Sequence, residues 1–474
     1  MLFNSFIFLL FLCIVFPVFY ALKNKQSKNL FLLVASYVFY GYWDWRFCLL
    51  LAVSTIIDFS IGKWLYKTIE QKKRKLLLAL SLFANLGILC FFKYFNFFID
   101  SFQSMSENLG FSPDYLHLNI IIPVGISFYT FQTLSYTIDI YRKRLKPTNN
   151  IIDFSVFVAF FPQLVAGPIE RAKALLPQIS QNLRPSKHQI QQGIVLIVTG
   201  LFRKVIIGDT AGRFVDHIFG NIELYMSVEL LCALVLFSIQ IYADFSGYTH
   251  IARGTAKLLG IELVKNFEQP YLSRNITEFW RRWHISLSSW LKDYLYFSLG
   301  GNRIGKYRTY VNLMITMLLG GLWHGASWNF VIWGGLHGIY LVVHKLILNG
   351  RKIQIDPIRS ITFKEIFKIT FTFVLVTCTW LFFRSTSWED TELYFSKMIH
   401  WEASTNAFTF IRITSFYLAL TLLIDSLEYK YGKHSFLLNI KSKATLYGVL
   451  SALMLVTLIY MFQADPLPFI YFQF

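Results

Sequence analysis

Two histidines lie in tryptophan-rich stretches of a strongly hydrophobic chain. His284 ends the sequence RRWH, and His324 lies within GGLWHG. An imidazole titrates near neutral pH, so it can take a proton from a hydroxyl group and return it. Ionisable side chains within a bilayer are costly and usually serve a function. The pattern therefore predicts a membrane enzyme, with His324 and His284 as its candidate catalytic residues.

The composition indicates where these histidines act. Of 474 residues, 55% are hydrophobic and 18% aromatic, which is more apolar surface than a soluble domain can bury. Crossing the hydrocarbon core of a bilayer takes roughly 20 apolar residues. Apolar runs of about that length occur at residues 2–22, 30–51, 76–99, 119–141, 190–207, 228–242, 310–322, 327–346, 367–383, 408–424 and 446–462.

Proline and glycine interrupt the apolar pattern at residues 123–125 and 161–168. Such breaks free backbone groups that must be satisfied within the protein or in a wet cavity. The sequence predicts an all-α polytopic integral membrane protein with one domain over residues 1–474. We expect about 11 transmembrane helices, plus re-entrant and interfacial helices, around a central tunnel.

The charge distribution predicts the orientation of the chain. A net charge of +18 would suit a nucleic-acid partner, but the basic residues lie between apolar runs, so we expect none. They cluster at residues 23–28, 72–75, 142–146, 253–308, 345–352 and 430–443. Residues 101–118 and 386–405 are poor in basic side chains. The positive-inside rule therefore predicts that these two loops, the N-terminus and the tail 465–474 lie outside.

Residues 277–296 have a helical repeat of apolar side chains. These are Trp280, Trp283, Leu287, Trp290, Leu291 and Tyr294. The spacing predicts one amphipathic helix at the cytoplasmic interface. Its basic side could simply anchor the chain to anionic lipid headgroups. Alternatively, it could bind a phosphate-rich donor, since arginine donates two hydrogen bonds at once to phosphate. The candidate donor-binding residues are Arg281, Arg282, Arg303 and Lys306.

Several further polar residues fall in or beside apolar runs. His324 could be a packing residue, but the flanking basic clusters place it near the turn between two apolar arms, facing the outer half of the membrane, with His284 towards the inner side. Asp244 could orient a histidine and fix its tautomer. The remaining residues of this kind are expected to be structural or paired, namely His250, His337, His344, Asp58 and Arg203.

Five motifs carry a resemblance to a known family. They are FPQLVAGPIER (161–171), YADFSGY (242–248), FWRRWHISLSSW (279–290), DYLYFSLGGNR (293–303) and LGGLWHGASW (319–328). Together they resemble the membrane-bound O-acyltransferases, in the bacterial envelope branch that includes the alginate O-acetyltransferase membrane subunit. The resemblance covers nearly the whole chain. His324 matches the catalytic histidine of this family, and His284 matches its second motif histidine.

The resemblance implies an activity and a location. The expected reaction moves an acyl group, usually acetyl, from a cytoplasmic thioester such as acetyl-CoA towards an envelope polysaccharide, with no bound cofactor or metal. The expected location is the bacterial inner membrane, with a periplasmic or extracellular acyltransferase as partner. The candidate substrate-binding residues in or beside the motifs are Trp283, Trp323, Asp244 and Asn329.

General base catalysis agrees with this activity, because a hydroxyl group needs a base within hydrogen-bond reach to attack a thioester. His324 would be that base, although a covalent acyl-histidine is equally compatible with the sequence. D-Alanyl transfer to a teichoic acid is the nearest alternative chemistry. Two other classes stay open: a transporter or flippase that uses the broken segments as gates, and a scaffold that recruits a transferase through its tail at 466–474.

Overall fold

Every regular element of the computed structural model is helical within the residues it describes, which are 1–111, 117–165, 167–348, 362–402 and 404–472. The α-helices of the first half are α1 (Phe6–Ala21), α2 (Lys25–Gly41), α3 (Arg46–Lys67), α4 (Gln71–Leu89), α5 (Phe95–Asn108), α6 (Ile126–Tyr141), α7 (Ile151–Ala159), α8 (Phe161–Leu164), α9 (Ala172–Ile179), α10 (Lys187–Phe202) and α11 (Thr210–Phe219).

The second half contains the helices that position the site. They are α12 (Ser227–Leu258), α13 (Ile276–Arg282), α14 (Ile285–Trp290), α15 (Lys306–His324), α16 (Trp328–Leu348), α17 (Phe363–Arg384), α18 (Trp388–Ile399), α19 (Ala407–Tyr431) and α20 (Lys443–Gln463). Three segments of π-helix occur in the described ranges, at Cys90–Tyr94, Arg203–Asp209 and Leu291–Tyr296. Short 3₁₀ turns occur at Ile222–Leu224, Pro270–Leu272, Phe436–Asn439 and Ile470–Phe472.

Seven helical stretches in the described part of the chain are long and apolar enough to cross a membrane. They are Arg46–Lys67, Gln71–Asn108, Ser227–Leu258, Trp328–Leu348, Phe363–Arg384, Ala407–Tyr431 and Lys443–Gln463. Phe6–Ala21 and Ile151–Leu164 are apolar but shorter. The all-helical membrane fold is confirmed, whereas the count of about 11 spans is not. Of the predicted loop and tail residues, 112–116, 166, 349–352, 403 and 473–474 lie outside the described residues.

Two predicted spans have other boundaries in the structure. The apolar run 30–51 straddles the turn between α2 and α3, because aromatic residues continue the hydrophobic pattern through that turn. The run 228–242 was expected to end before Asp244, but α12 continues to Leu258. Asp244 is 2.9 Å from Lys204, and Arg253 is 2.9 Å from His434. Internal partners of this kind replace water, so a helix can carry polar residues through the protein core.

The core of the protein surrounds α12. In its most apolar window, 83% of α12 is buried, against 6% for α20. A helix that is apolar on all sides and exposed suits contact with lipid, whereas a buried helix with polar residues suits a central position. α12 therefore forms a central wall of the protein, and α20 lies at its periphery.

Helices α15 and α16 form a tightly packed hairpin. A Cβ atom added at Gly321 would lie 2.2 Å from the carbonyl oxygen of Phe330. One added at Gly334 would lie 2.3 Å from the carbonyl oxygen of Met317. Only glycine permits such a close approach of two backbones. This packing fixes the C-terminal end of α15, where His324 lies.

Candidate active site

The two motif histidines lie close together inside the protein. Their ring centroids are 6.4 Å apart. His324 is the last residue of α15, and His284 lies between α13 and α14. His284 is fully buried, and 3% of His324 is exposed. The sequence predicted His324 towards the outer half of the membrane and His284 towards the inner side, and the fold brings both to one centre.

An interruption of the helix determines the position of His284. The predicted continuous helix over 277–296 is wrong, because α13 ends at Arg282 and His284 has a positive φ of 40°. The predicted apolar positions are nevertheless inward-facing, with Trp283, Leu287 and Trp290 buried. A positive φ at a residue with a Cβ is uncommon and often marks a functional position. The segment is therefore kinked at His284 and packs one face into the core.

A first cavity, which we call the Arg281 cavity, follows the α15–α16 hairpin. Its volume is about 620 Å³. Arg281, Lys292 and Lys345 line it together with His324, and most of its other lining residues are apolar, such as Leu287. Lys345 lies near the end of α16 opposite Trp328, and about 1.5 Å of rise per residue separates these ends by on the order of 25 Å. The cavity therefore extends from Lys345 at one end of the hairpin to His324 at the other.

A second cavity, the Lys93 cavity, lies beyond the C-terminal end of α15. Its volume is about 560 Å³, and its walls include Lys93, Phe128, Trp323, His324 and Tyr471. Lys93 Nζ donates hydrogen bonds of 2.8 Å to the carbonyl oxygens of Trp323 and His324. The last carbonyl groups of a helix lack intrahelical partners, so a cation there stabilises the helix end. Lys93 thus holds the backbone of His324 from the π-helical segment Cys90–Tyr94.

His324 is the residue that the described linings of the two cavities share. Its ring lies among Trp323, Trp333, Phe383 and Tyr471, with centroid distances of 5.0, 5.1, 5.3 and 5.4 Å. In the described part of the chain, its Nδ1 is buried without a hydrogen-bond partner. Buried polar atoms are usually paired, so an unpaired imidazole nitrogen in a residue between two cavities marks His324 as a candidate functional residue.

His284 is placed differently from His324. Neither of its ring nitrogens has a hydrogen-bond partner among the described residues. It contacts the rings of Phe245 and Trp323, at 4.7 and 5.9 Å between centroids, but belongs to the lining of neither cavity. Its catalytic role stays a prediction, and its position behind the aromatic wall suits support of that wall.

The C-terminal tail supplies a site residue that the sequence did not single out. Ile470 donates a backbone hydrogen bond of 2.9 Å to Asp244 Oδ2, and Phe469 is fully buried. Tyr471, the next residue, lines the Lys93 cavity. Its hydroxyl group is buried without a hydrogen-bond partner in the described ranges. The tail therefore folds back onto α12. The aromatic run after Pro466 and Pro468 was the available signal.

The four candidate substrate-binding residues separate into two kinds. Trp323 lines the Lys93 cavity. Trp283 is fully buried between Phe267 and Trp380 and lines neither cavity.

Asn329 and Asp244 have partners within the protein. Asn329 Nδ2 donates hydrogen bonds to the carbonyl oxygens of Ser385 and Ser387, at 3.3 and 3.1 Å. Asp244 contacts Lys204 and the backbone of Ile470. No histidine is among its contacts in the described part of the chain. We therefore assign both to holding helices and the tail in place.

Of the four candidate donor-binding residues, Arg281 is the one that lines the Arg281 cavity. Arg282 is buried and donates a hydrogen bond of 2.8 Å to Glu278. Arg303 and Lys306 are exposed and do not line that cavity, although Asn302 beside them does. The structure thus brings one of the four basic residues to the cavity that ends at His324.

The other histidines have side-chain neighbours. His337 Nε2 lies 3.0 Å from Thr379 Oγ1, His344 Nδ1 lies 2.8 Å from Thr277 Oγ1, and His250 Nε2 lies 3.0 Å from His434 Nδ1. These contacts agree with the structural roles expected of them.

The buried charges also have partners. Arg203 pairs with Asp425 and Glu428 at 3.4 and 2.9 Å, and Asp58 accepts a hydrogen bond of 2.8 Å from Ser81.

Sequence comparison shows the family. The model of the MBOAT family, membrane-bound O-acyltransferases, matches residues 33–388. The chain is 40% identical over 402 residues to the probable alginate O-acetylase AlgI of Pseudomonas aeruginosa, covering 84% of this chain and 75% of that protein. It is 36% identical over 395 residues to the peptidoglycan O-acetyltransferase of Helicobacter pylori, covering 78% and 73%.

A more distant relative is the teichoic acid D-alanyltransferase of Streptococcus thermophilus. It is 29% identical over 250 residues, which cover 48% of this chain and 58% of that protein. The family match spans most of the chain and includes both motif histidines. The chain therefore belongs to the membrane-bound O-acyltransferase family and is an O-acyltransferase of the bacterial type that includes O-acetyltransferases.

Proposed function

We propose that this protein transfers an acetyl group from a cytoplasmic thioester across the membrane for O-acetylation of an envelope or extracellular polysaccharide. His324 is the general base in this proposal. The observation that carries it is the position of His324 in the walls of both the Arg281 cavity and the Lys93 cavity. Two substrates that approach from different sides can meet only at such a position.

The proposed chemistry needs little beyond this histidine. His324 accepts the proton of an acceptor hydroxyl group, whose oxygen attacks the thioester carbonyl carbon. The carbon–sulfur bond then breaks, and the leaving thiolate takes up the proton. Because a thioester is already activated, this route requires neither a metal nor a bound cofactor. Positioning in a water-poor cavity supplies much of the remaining rate enhancement.

The charge of the cavities supports the direction of transfer. Arg281 and Lys292 line the Arg281 cavity, and Lys345 lines it near the end of α16 remote from His324. Basic residues concentrate on the cytoplasmic side of membrane proteins and attract anionic, phosphate-bearing donors such as acetyl-CoA. In this proposal the Arg281 cavity receives the donor from the cytoplasm, and the Lys93 cavity faces outwards.

In this proposal the protein lies in the bacterial inner membrane with its N-terminus outside. The Lys93 cavity, at about 560 Å³, holds part of a polymer at most. We therefore propose that a periplasmic or extracellular acyltransferase takes the acetyl group there and esterifies the polysaccharide. The relatives in Pseudomonas aeruginosa and Helicobacter pylori are named for alginate and for peptidoglycan, so both polymers are candidate acceptors.

D-Alanyl transfer to a teichoic acid is the second candidate. The relative in Streptococcus thermophilus supports it, but over 48% of the chain, whereas the acetyl-transferring relatives align over 84% and 78%. The same base and the same two cavities would serve either acyl group, so the identity of the released acid distinguishes them.

The test is mild-alkali release of ester-linked acyl groups from envelope glycans, followed by mass spectrometry. Wild-type cells, a deletion strain and a strain with His324→Ala are compared at equal protein level in the membrane. We expect both altered strains to lose the same ester, and the acid released from wild-type cells to be acetate. If the released acid were alanine and not acetate, the donor would be a D-alanyl donor and the acetyl proposal would be rejected. Wild-type ester in the His324→Ala strain would reject His324 as the base.

A further inference from the structure

Lys93 carries a positive charge inside an apolar helical stretch. It lies within Gln71–Asn108, which is long and apolar enough to cross a membrane. Within that stretch it belongs to the π-helical segment Cys90–Tyr94, and such segments frequently occur at functional sites. A charged side chain in a membrane-spanning stretch is costly and usually serves a function.

The end of α15 uses two of the three N–H donors of Lys93. Nζ donates to the carbonyl oxygens of Trp323 and His324, both at 2.8 Å. An ammonium group has three donors, so one remains for another acceptor. No carboxylate pairs with Lys93 in the described part of the chain, and the described lining of the Lys93 cavity contains neither aspartate nor glutamate.

Anchoring the end of α15 does not by itself require a charge. Tyr94, the next residue in the chain, donates a hydrogen bond of 2.9 Å from its neutral hydroxyl group to the carbonyl oxygen of Leu322. Two neighbouring residues, one charged and one neutral, thus anchor the last turn of α15. Lys93 lines the Lys93 cavity, and Tyr94 does not. The charge is therefore found on the residue that reaches the cavity.

The ammonium group lies near the imidazole that the proposed reaction uses. Nζ is 2.8 Å from the carbonyl oxygen of His324, so covalent geometry puts it within about 9 Å of the ring nitrogens of that residue. A hydroxyl group bound to the base, together with the carbonyl group that it attacks, spans on the order of 7 Å from base to oxyanion donor. One reacting acyl group can therefore contact both side chains.

We infer that Lys93 is a further catalytic residue, whose ammonium group stabilises the oxyanion formed when the acceptor hydroxyl group attacks the thioester. This inference rests on the proposed function, because it concerns the transition state of that reaction. The two carbonyl groups of α15 hold the cation in place before the reaction starts. A donor fixed in this way needs no reorganisation when charge develops, and a water-poor surrounding strengthens its effect.

The role of Lys93 follows the bonds that form and break. Attack of the hydroxyl oxygen forms a carbon–oxygen bond and moves an electron pair onto the thioester carbonyl oxygen. That oxygen accepts the third N–H of Lys93, while His324 holds the hydroxyl proton. The intermediate then restores the carbonyl group, the carbon–sulfur bond breaks, and the thiolate takes up the proton from His324. Lys93 keeps all its own protons throughout.

The test compares the rates at which alkali-labile ester accumulates in the envelope after each variant is expressed in a deletion strain, per amount of membrane-inserted protein. Lys93→Arg keeps the charge, Lys93→Gln keeps two N–H donors without a charge, and Lys93→Met keeps neither. We expect Lys93→Gln and Lys93→Met to lower the rate about 100-fold, as for the loss of one oxyanion donor. Lys93→Arg should retain at least about a tenth of the wild-type rate.

Tyr94→Phe is the matched control for the anchoring of α15. It removes the neutral hydrogen bond to Leu322 from a residue outside the cavity lining. We expect this variant to form ester at close to the wild-type rate. A loss as large as that of Lys93→Gln would show that anchoring and not charge is required, and it would overturn the inference. A wild-type rate in Lys93→Gln would overturn it as well.

His324→Ala, measured in the same strain, separates this inference from the proposed function. Loss of ester in His324→Ala with a wild-type rate in Lys93→Gln would reject the role of Lys93 and keep His324 as the base. Normal ester in His324→Ala with a loss in Lys93→Gln and Lys93→Met that Lys93→Arg restores would reject the base and keep Lys93 as the oxyanion donor.

Discussion

His324 and His337 lie on the two arms of the same hairpin and are both buried among tryptophans, yet their surroundings differ. His337 is 3.0 Å from Thr379 Oγ1 and packs against Phe279 and Trp280. It lines neither of the cavities that meet at His324. Both histidines have a buried Nδ1 without a partner in the described chain, but of the two it is His324 that forms part of both cavity walls. The two histidines thus share burial and tryptophan neighbours, and they differ in whether they line the cavities.

The largest difference between the two histidines should appear in activity. We expect His324→Ala to lower the ester content of the envelope at least about 100-fold, since a general base contributes about 10² to 10⁴ in rate. His337→Ala should retain activity within a few-fold, because it removes a hydrogen bond worth about 1 kcal/mol and some packing. Ester content per amount of membrane-inserted protein is the measurement. A larger loss in His337→Ala than in His324→Ala would reverse the assignment.

Blocking the approach to His324 should have the next largest effect. Gly320 lines the Arg281 cavity, and a Cβ there would lie 3.2 Å from Leu291 Cδ1. Gly320→Leu should fill this part of the cavity and lower acyl transfer about 10- to 100-fold through lost positioning. Gly335→Leu is the matched control, because Gly335 lies outside the cavity lining and a Cβ there has its nearest atom at 3.4 Å. Equal losses in both variants would show that helix packing, and not the cavity, had been damaged.

The smallest of these effects concerns two tyrosines with unpaired hydroxyl groups. Tyr129 is buried and Tyr471 is partly buried, and the hydroxyl groups of both are buried with no partner in the described ranges, but Tyr471 lines the Lys93 cavity and Tyr129 does not. Tyr471→Phe should lower activity about ten-fold, which is the value of one hydrogen bond to a reacting group. Tyr129→Phe should keep full activity.

Neither substitution should lower the unfolding temperature, because each removes an unsatisfied polar atom. A thermal melt of the purified variants checks this point. Equal activity in Tyr471→Phe and wild-type protein would remove Tyr471 from the site.

The sequence predicted the parts of this site that depend on local chemistry. Apolar runs indicated a helical membrane protein, and the five motifs indicated the family and His324 as a candidate residue. The expectation that Arg203 and Asp58 would have polar partners follows from the cost of a buried charge, and both have them.

The features of the site that the sequence did not predict depend mainly on contacts between segments that are distant in the chain. The break at His284 needs a positive φ that helical periodicity does not report. The tail reaches the site through a hydrogen bond from Ile470 to Asp244, which lies 226 residues earlier. Arg282 was expected to bind the donor, but Glu278, one helical turn away, pairs with it. Charge type alone does not indicate whether a basic residue is free.

The central claim is that His324 is reached from both sides of the membrane. The direct test is a single cysteine, His324→Cys, in a protein whose natural cysteines (Cys13, Cys48, Cys90, Cys232 and Cys378) are replaced by alanine. A membrane-impermeant thiol reagent is applied to right-side-out and to inverted vesicles, with His337→Cys as control. We predict labelling of residue 324 in both orientations and of residue 337 in neither. Labelling of residue 324 from one side only, or from neither, would contradict the account.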